Sequence, residues 1–150
     1  MDTNTVQAGN VGPRTTTVTL MKVLPKPGWR NINLSLRKRV RGSELAEFTR
    51  ELAASVGAGI SLVESLQGVA QEMRRGPLQE QVRDVAQEIH QGSTFSQALA
   101  RHPKTFDKLY CSMIQAGETA GALDKILARV ATFMEKREAI KRKIRGAMAY

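Results

Sequence analysis

The stretch Gln115–Leu127, QAGETAGALDKIL, constrains this chain more than any other. It lies between two apolar patterns of helical period: Phe106, Leu109, Tyr110, Met113 and Ile114 before it, and Leu123, Ile126, Leu127, Val130, Phe133 and Met134 after it. Two glycines, Gly117 and Gly121, flank a single acid, Glu118. Glycine takes positive φ and allows close backbone approach, so the stretch predicts a tight helix–helix corner between the two longest-range partners of the core.

The residues before that corner are helical from Ser43 onward. Ser43 is a suitable N-cap, with Glu44 and Glu47 in the first turn, and Leu45, Phe48, Leu52 and Val56 make one stripe up to Gly57 and Gly59. Ser61 and Glu64 have capping-box spacing for a second helix carrying Leu62, Val63, Leu66, Val69, Ala70 and Met73. Gly76-Pro77 stops it and starts a third, whose stripe is Leu78, Val82, Val85, Ala86 and Ile89, closed by Gly92. Thr94 and Gln97 form another capping box for a short fourth helix with Phe95, Ala98 and Leu99, ended by His102-Pro103. A fifth helix is predicted over about Phe106–Ala116, and a sixth from after Gly121 to the last residue, Tyr150. In the sixth, Ile126, Val130, Phe133, Arg137, Ile140, Ile144 and Ala147 recur in a heptad-like stripe. Arg137 interrupts it, so the second half is expected to leave the core. At ~1.5 Å per residue this helix reaches roughly 40 Å, more than a small bundle needs. The expectation is all-α: a compact six-helix bundle with a long C-terminal helix that breaks off at the start of a membrane segment.

Met1–Gly42 is different. It holds three of the five prolines and a TTTVT tract, with only weak period-two hints at Val18–Val23 and at Ile32, Leu34 and Leu36. It reads as a basic, largely disordered or extended segment, with one short strand as an option. Trp29 and the run Arg37, Lys38, Arg39 and Arg41 fit either a solvated tail or an anionic membrane surface. The chain's net charge of +9 is unevenly placed. Eight basic residues face one acid in 1–42, nine face twelve in 43–135, and six face one in 136–150. Nucleic-acid binders carry positive charge on a face of the folded domain. Here it lies on the flanks, which favours a membrane-proximal role. No signal-peptide pattern opens the chain, and no run of about 18 apolar residues occurs. The lone cysteine, Cys111, makes no internal disulfide and reads as a small core residue in a reducing compartment.

Chemistry-bearing patterns are sparse. His90 and His102 stand near helix ends, one as a cation beside a C-terminus and the other as a cap before proline. Neither has metal-ligand spacing to a second His or Cys, and no nucleophile-elbow or phosphate-loop string occurs, so no enzymatic activity is expected. Glu64, Glu118 and Asp124 raise calcium as a speculative ligand, because hard oxygen donors suit that ion. Glu64 and Asp124 each have an ordinary helix-start role; no partner groups are seen to converge on Glu118, for which capping is the alternative to a ligand role. The string EKREAIKRKIRGAMAY masses Lys136, Arg137, Lys141, Arg142, Lys143 and Arg145 before a more apolar end. That fits the cytoplasmic edge of a membrane segment under the positive-inside rule, or a solvated basic helix end; the missing stop signal favours the first. A helix-turn-helix reader of nucleic acid is the competing class, over QGSTFSQALARHPKTFDKLYCSM. Its second helix would offer only Lys108, Ser112 and Gln115 for base readout. A soluble helical adaptor is the third reading.

These residues also resemble a family. FTRELAASVGAGISLVESL followed by IHQGSTFSQALARHPKTFDKLYCSMIQAGETAGALDKIL is similar to the cytoplasmic domain of the type II secretion F family, over roughly Ser43–Tyr150. The linked motifs are Phe48-Thr49-Arg50 with Leu52, Ala58-Gly59 with Leu62 and Glu64, Gly92 with Ala98-Leu99, His102-Pro103 with Phe106, and Ala116-Gly117-Glu118 with Gly121 and Leu123. The resemblance implies a non-enzymatic six-helix domain on the cytoplasmic face of the bacterial inner membrane, in a platform protein of type II secretion or type IV pilus systems. It implies contact with a hexameric secretion or pilus ATPase, with other platform proteins and with pilin or pseudopilin. Homodimers, no nucleic acid, no cofactor, and in some members a divalent cation near Glu64 and Glu118 are implied as well. Two positions depart from the pattern: Ala120 where the family often has Ser, and Asp107 where Pro is common.

Overall fold

Local backbone rules place each helix boundary in the computed structural model, which describes residues 39–150. The expectations for the N-terminal segment, Trp29 included, fall largely outside the described residues. Helix α1 (Gly42–Gly57) has Arg41 as its N-cap, not Ser43. The Glu44 carboxylate reaches back to accept the Arg41 N–H at 3.5 Å, which moves the cap outward and puts Ser43 inside the first turn. In α2 (Leu62–Glu72), Ser61 Oγ accepts the Glu64 N–H at 3.3 Å; only this half of the expected capping box forms among the described residues. Pro77 opens α3 (Pro77–His90) as expected. The full box forms at α4 (Phe95–Ala100), where the Gln97 N–H donates to Thr94 Oγ1 at 3.3 Å and the Thr94 N–H donates to Gln97 Oε1 at 3.2 Å.

Helix α5 (Lys108–Ala120) starts two residues later than predicted and ends four later. Asp107, at the position that departs from the family pattern, is its N-cap: Oδ1 accepts the Tyr110 N–H at 2.8 Å. The long α6 (Leu123–Met148) follows after only Gly121 and Ala122. The described residues contain six helices and no strand.

Consecutive helices pack on one another from α1 to α6, and α6 then packs back on α1. This last contact is the most extensive between any two helices and closes the bundle into a ring. The longest-range partners in the core are therefore α1 and α6, not the α5–α6 pair at the corner. One continuous core fills the ring, with Phe48, Leu52, Leu66, Val82, Val85, Phe95, Leu99, Phe106, Ile114, Leu127 and Val130 all essentially inaccessible. Phe106 sits at its aromatic centre, edge-on to Phe48 at 6.2 Å and tilted against Tyr110 at 5.2 Å. Such pairs add roughly 0.5–1.5 kcal/mol beyond the apolar area they bury.

Leu127, Val130 and Met134 are buried on α6 as predicted, but the buried arc is rotated from the heptad-like stripe through Ile126, Val130, Phe133 and Arg137. Ala131 is buried as well, whereas Phe133 is 40% exposed. The cause is that α6 is covered by two neighbours, α1 and α5, so its buried arc points between them. Leu109 on α5, also expected in the core, is 50% exposed. From Ile140 to Tyr150 every residue is exposed, as expected for a helix that runs past its core. No helix among the described residues is long and apolar enough to cross a membrane.

Candidate functional site

The α5–α6 corner is real, but its two glycines do different jobs. Gly121 is the turn residue: at φ 65° it is left-handed, and its N–H donates to the Glu118 carbonyl at 3.2 Å. The Ala122 N–H donates to the Gly117 carbonyl at 3.0 Å, which completes a Schellman closure of α5. Gly117 lies inside α5, buried, and faces α6. A Cβ built there would stand 2.8 Å from Ile126 Cβ and 3.0 Å from both of its γ-carbons. Gly117 therefore sets how closely the two helices approach, and a glycine-rich turn over 117–121 is not what forms.

Glu118 has partners after all. Its Oε1 accepts the Phe95 N–H, and its Oε2 accepts the Ser96 N–H at 3.2 Å and the Ser96 hydroxyl at 2.6 Å. With Thr94 taking the Gln97 N–H, the first three amides of α4 are all satisfied. Negative charge at this end of α4 also complements its N-terminal dipole. The expectation that nothing converges on Glu118 fails because its donors, two backbone amides and the Ser96 hydroxyl, lie 22 and 23 residues away, a separation no local pattern announces. A shallow groove of about 310 Å³ beside it is lined by Thr94, Ser96, Gln97, Gln115, Glu118 and Thr119.

The other acids named as calcium ligands stand elsewhere. Glu64 is exposed on the first turn of α2, and Asp124 is exposed at the start of α6. Among the described residues no three His, Cys, Asp or Glu side chains gather as a metal site. Glu64 and Glu118 belong to no such group of three, and both Glu118 oxygens accept hydrogen bonds from α4.

The remaining motif residues act as ties between helices. Phe48 is core, and next to it Thr49 is fully buried. Its Oγ1 lies 2.7 Å from the Leu45 carbonyl and 2.9 Å from the Tyr110 hydroxyl, joining α1 to α5. Burial holds the Tyr110 phenol above the usual tyrosine range, and the Thr49 hydrogen bond opposes it. Burial, with a contribution from the Asp107 carboxylate, likewise raises Cys111. Arg50 is exposed and reaches Glu135 only at 3.9 Å. His102 is a tie more than a cap: its Nε2 lies 2.7 Å from Asp84 Oδ2, fastening the α4–α5 loop to α3. Pro103 follows in that loop, whose Phe106 N–H returns to the His102 carbonyl at 2.9 Å. Gly59 and Gly92 occupy the α1–α2 and α3–α4 turns at φ 89° and 106°. His90 is exposed in the last turn of α3, as expected. Gln79, unremarked in sequence, is buried and donates to the Ala70 carbonyl at 2.6 Å, closing the end of α2.

The basic set divides. Arg137 pairs with Asp107 at 3.3 Å, so the residue that interrupts the stripe joins α6 to the start of α5, and Lys141 pairs with Glu138 at 3.1 Å. Lys136, Arg142, Lys143 and Arg145 are exposed along the same helix. On α5, Lys108, Ser112 and Gln115 face solvent as the helix-turn-helix reading requires, while Tyr110, Ile114 and Gly117 are locked into the bundle.

Comparison with known proteins places this architecture. The family described as type II secretion system (T2SS), protein F matches residues 48–150. A type IV pilus assembly protein PilC of Pseudomonas aeruginosa is 38% identical over 117 residues, covering 78% of this chain and 31% of that protein. One from Myxococcus xanthus is 40% identical over 111 residues, 74% of this chain and 27% of the relative. A type II secretion system protein F of Aeromonas hydrophila is 38% identical over 114 residues, 76% of this chain and 29% of the relative. The chain thus spans about a third of the length of such relatives or less.

Proposed function

The chain belongs to the type II secretion F family, and on that footing we propose that its helical domain is the cytoplasmic part of an assembly platform. It docks a hexameric motor ATPase and passes the motor's movement to pilus or pseudopilus assembly, acting by contact and not by bond chemistry. The observation that carries this reading is the architecture of α6. Its first half is clamped between α1 and α5, and its second half projects as an exposed basic helix. At ~1.5 Å per residue, the segment 140–148 extends roughly 13 Å past the core. A ring closed by α1 against α6 moves as one body, because packed cores transmit displacement and do not absorb it. A push on any face of the ring is then delivered along α6. The positive charge at its far end suits the cytoplasmic side of a membrane.

The purified chain, immobilised and exposed to the motor ATPase of the same organism's pilus or secretion machinery, tests this. Binding that changes between ATP-loaded and nucleotide-free motor is expected. Absence of binding in both states contradicts the docking role.

A further inference from the structure

The exposed half of α6 is amphipathic in its own right. Phe133, Ile140 and Ile144 are 40%, 58% and 54% exposed, and Met148 is 83% exposed. Steps of seven, four and four residues put these side chains along one line of an α-helix. The centre of that line is not the centre of the buried one: at ~100° per residue Leu127 and Met134 point about a quarter-turn away from it, and Val130 about an eighth of a turn. By the same geometry Lys136 and Lys143 flank the apolar line on one side, and Lys141 and Arg145 flank it on the other. Glu138 is the only acid from Lys136 to Tyr150, and it is engaged by Lys141.

We infer that this face of α6 binds the surface of anionic phospholipid bilayers, the apolar line entering the headgroup boundary while the flanking cations meet lipid phosphates. An apolar ridge edged by Lys and Arg on an exposed helix has the form of an interfacial helix. Charge complementarity selects the occupant. The N-terminal segment of this chain carries eight basic residues and one acid, and a second copy of the α6 end carries the same positive charge. Neither offers the anions the flanks require, and the 43–135 region of a second copy sets nine basic residues among its twelve acids; an acidic bilayer presents anions without interspersed cations along the whole ridge. Each Lys or Arg near such a surface contributes about 1 kcal/mol. The inference deepens the platform reading by naming a lipid partner for α6.

The test is co-sedimentation of the full chain with vesicles of phosphatidylcholine alone and with one quarter phosphatidylglycerol. Three proteins are compared: wild type, a triple variant Lys136→Gln, Lys143→Gln and Arg145→Gln, and a double variant Ile140→Ser and Ile144→Ser. All five positions are exposed, and circular-dichroism melts confirm that the ring stays folded. Wild type is expected to bind the phosphatidylglycerol vesicles, to bind the neutral ones far less, and to weaken with salt. The triple variant should lose on the order of 100-fold in affinity, and the double variant about 10-fold or more. Equal binding of wild type to both vesicles overturns the inference. So does undiminished binding by the triple variant, which would place the interaction in the N-terminal segment. Displacement of wild type by inorganic phosphate at matched ionic strength, or an Ile140- and Ile144-dependent dimer that ignores vesicles, also overturns it. The triple variant is then presented to the motor ATPase. Retained motor binding with lost lipid binding separates this inference from the docking role, and failure of the docking role alone leaves the lipid result standing.

Discussion

Gly117→Ala places a methyl 2.8 Å from Ile126 Cβ. Because Cβ is the branch atom of isoleucine, no rotamer change moves it away, and α5 and α6 must separate by several tenths of an ångström. Overpacking of this kind costs about 1–3 kcal/mol. Against it stands the gain of roughly 1 kcal/mol from replacing glycine by alanine within a helix. The net effect is a loss of ~0–2 kcal/mol, and Gly117→Val, with two further methyls and a poorer helix former, should lose about 3 kcal/mol or more. The sharper prediction is one of sign. In an Ile126→Gly background the obstructing Cβ and both γ-carbons are gone, so Gly117→Ala should stabilise or be neutral. Urea melts of the four chains at 25 °C give the coupling, expected at about 1–3 kcal/mol. If Gly117→Ala shifts stability equally in both backgrounds, close packing against Ile126 is not why this position is glycine.

Three further outcomes follow from the ties between helices. Glu118→Gln removes the charge and one acceptor from the start of α4 and should cost about 1–2 kcal/mol in urea melts; hydrogen exchange should rise first at Phe95 and Ser96, and unchanged exchange there would refute the capping role. Thr49→Val should cost about 1–3 kcal/mol, because it leaves the buried Tyr110 hydroxyl without its partner, and adding Tyr110→Phe should recover part of that loss in a double-mutant cycle. Cys111 keeps its proton to higher pH when folded. An aromatic disulfide reagent at pH 8 should therefore label the native chain about tenfold or more slowly than the chain in urea. The unfolded chain ionises first as pH rises past 9.0, the ordinary thiol value, so folding stability should fall there; a Cys111→Ser variant should lack that component.

Much of this fold was legible because its helix boundaries are written locally. Pro77 at a first turn and the reciprocal Thr94–Gln97 pair act within four residues, and both predicted boundaries appear in the structure. The errors arise where a long-range contact decides. Gly117 looks like a turn residue in sequence, but the nearby Gly121 already supplies the left-handed position, and Gly117 is held inside α5 by its packing on Ile126. The rotated stripe of α6 reflects two covering helices, and a periodicity count treats a helix as if it had one neighbour. Glu118 was read as lacking partners because its donors, two backbone amides and the Ser96 hydroxyl, are 22 and 23 residues away in sequence. Thr49 was legible only as part of a motif, since its partner Tyr110 is 61 residues away. The basic, stop-free end of α6 was legible, and the structure shows the exposed helix expected there.

The central claim, that α6 carries motion from a docked motor, is tested most directly by breaking that helix without touching the ring. Arg142 is exposed beyond the core, and Arg142→Pro removes a helical hydrogen bond and kinks the helix at a cost of ~3 kcal/mol or more. Under the proposed function, a platform protein that contains this chain and carries this substitution should reach wild-type abundance and bind the motor as the unsubstituted protein does. The measurement is the amount of pilus or secreted substrate produced per cell in a strain that relies on it. Loss of assembly with motor binding intact is the predicted result; assembly at the wild-type level through a broken α6 contradicts the account.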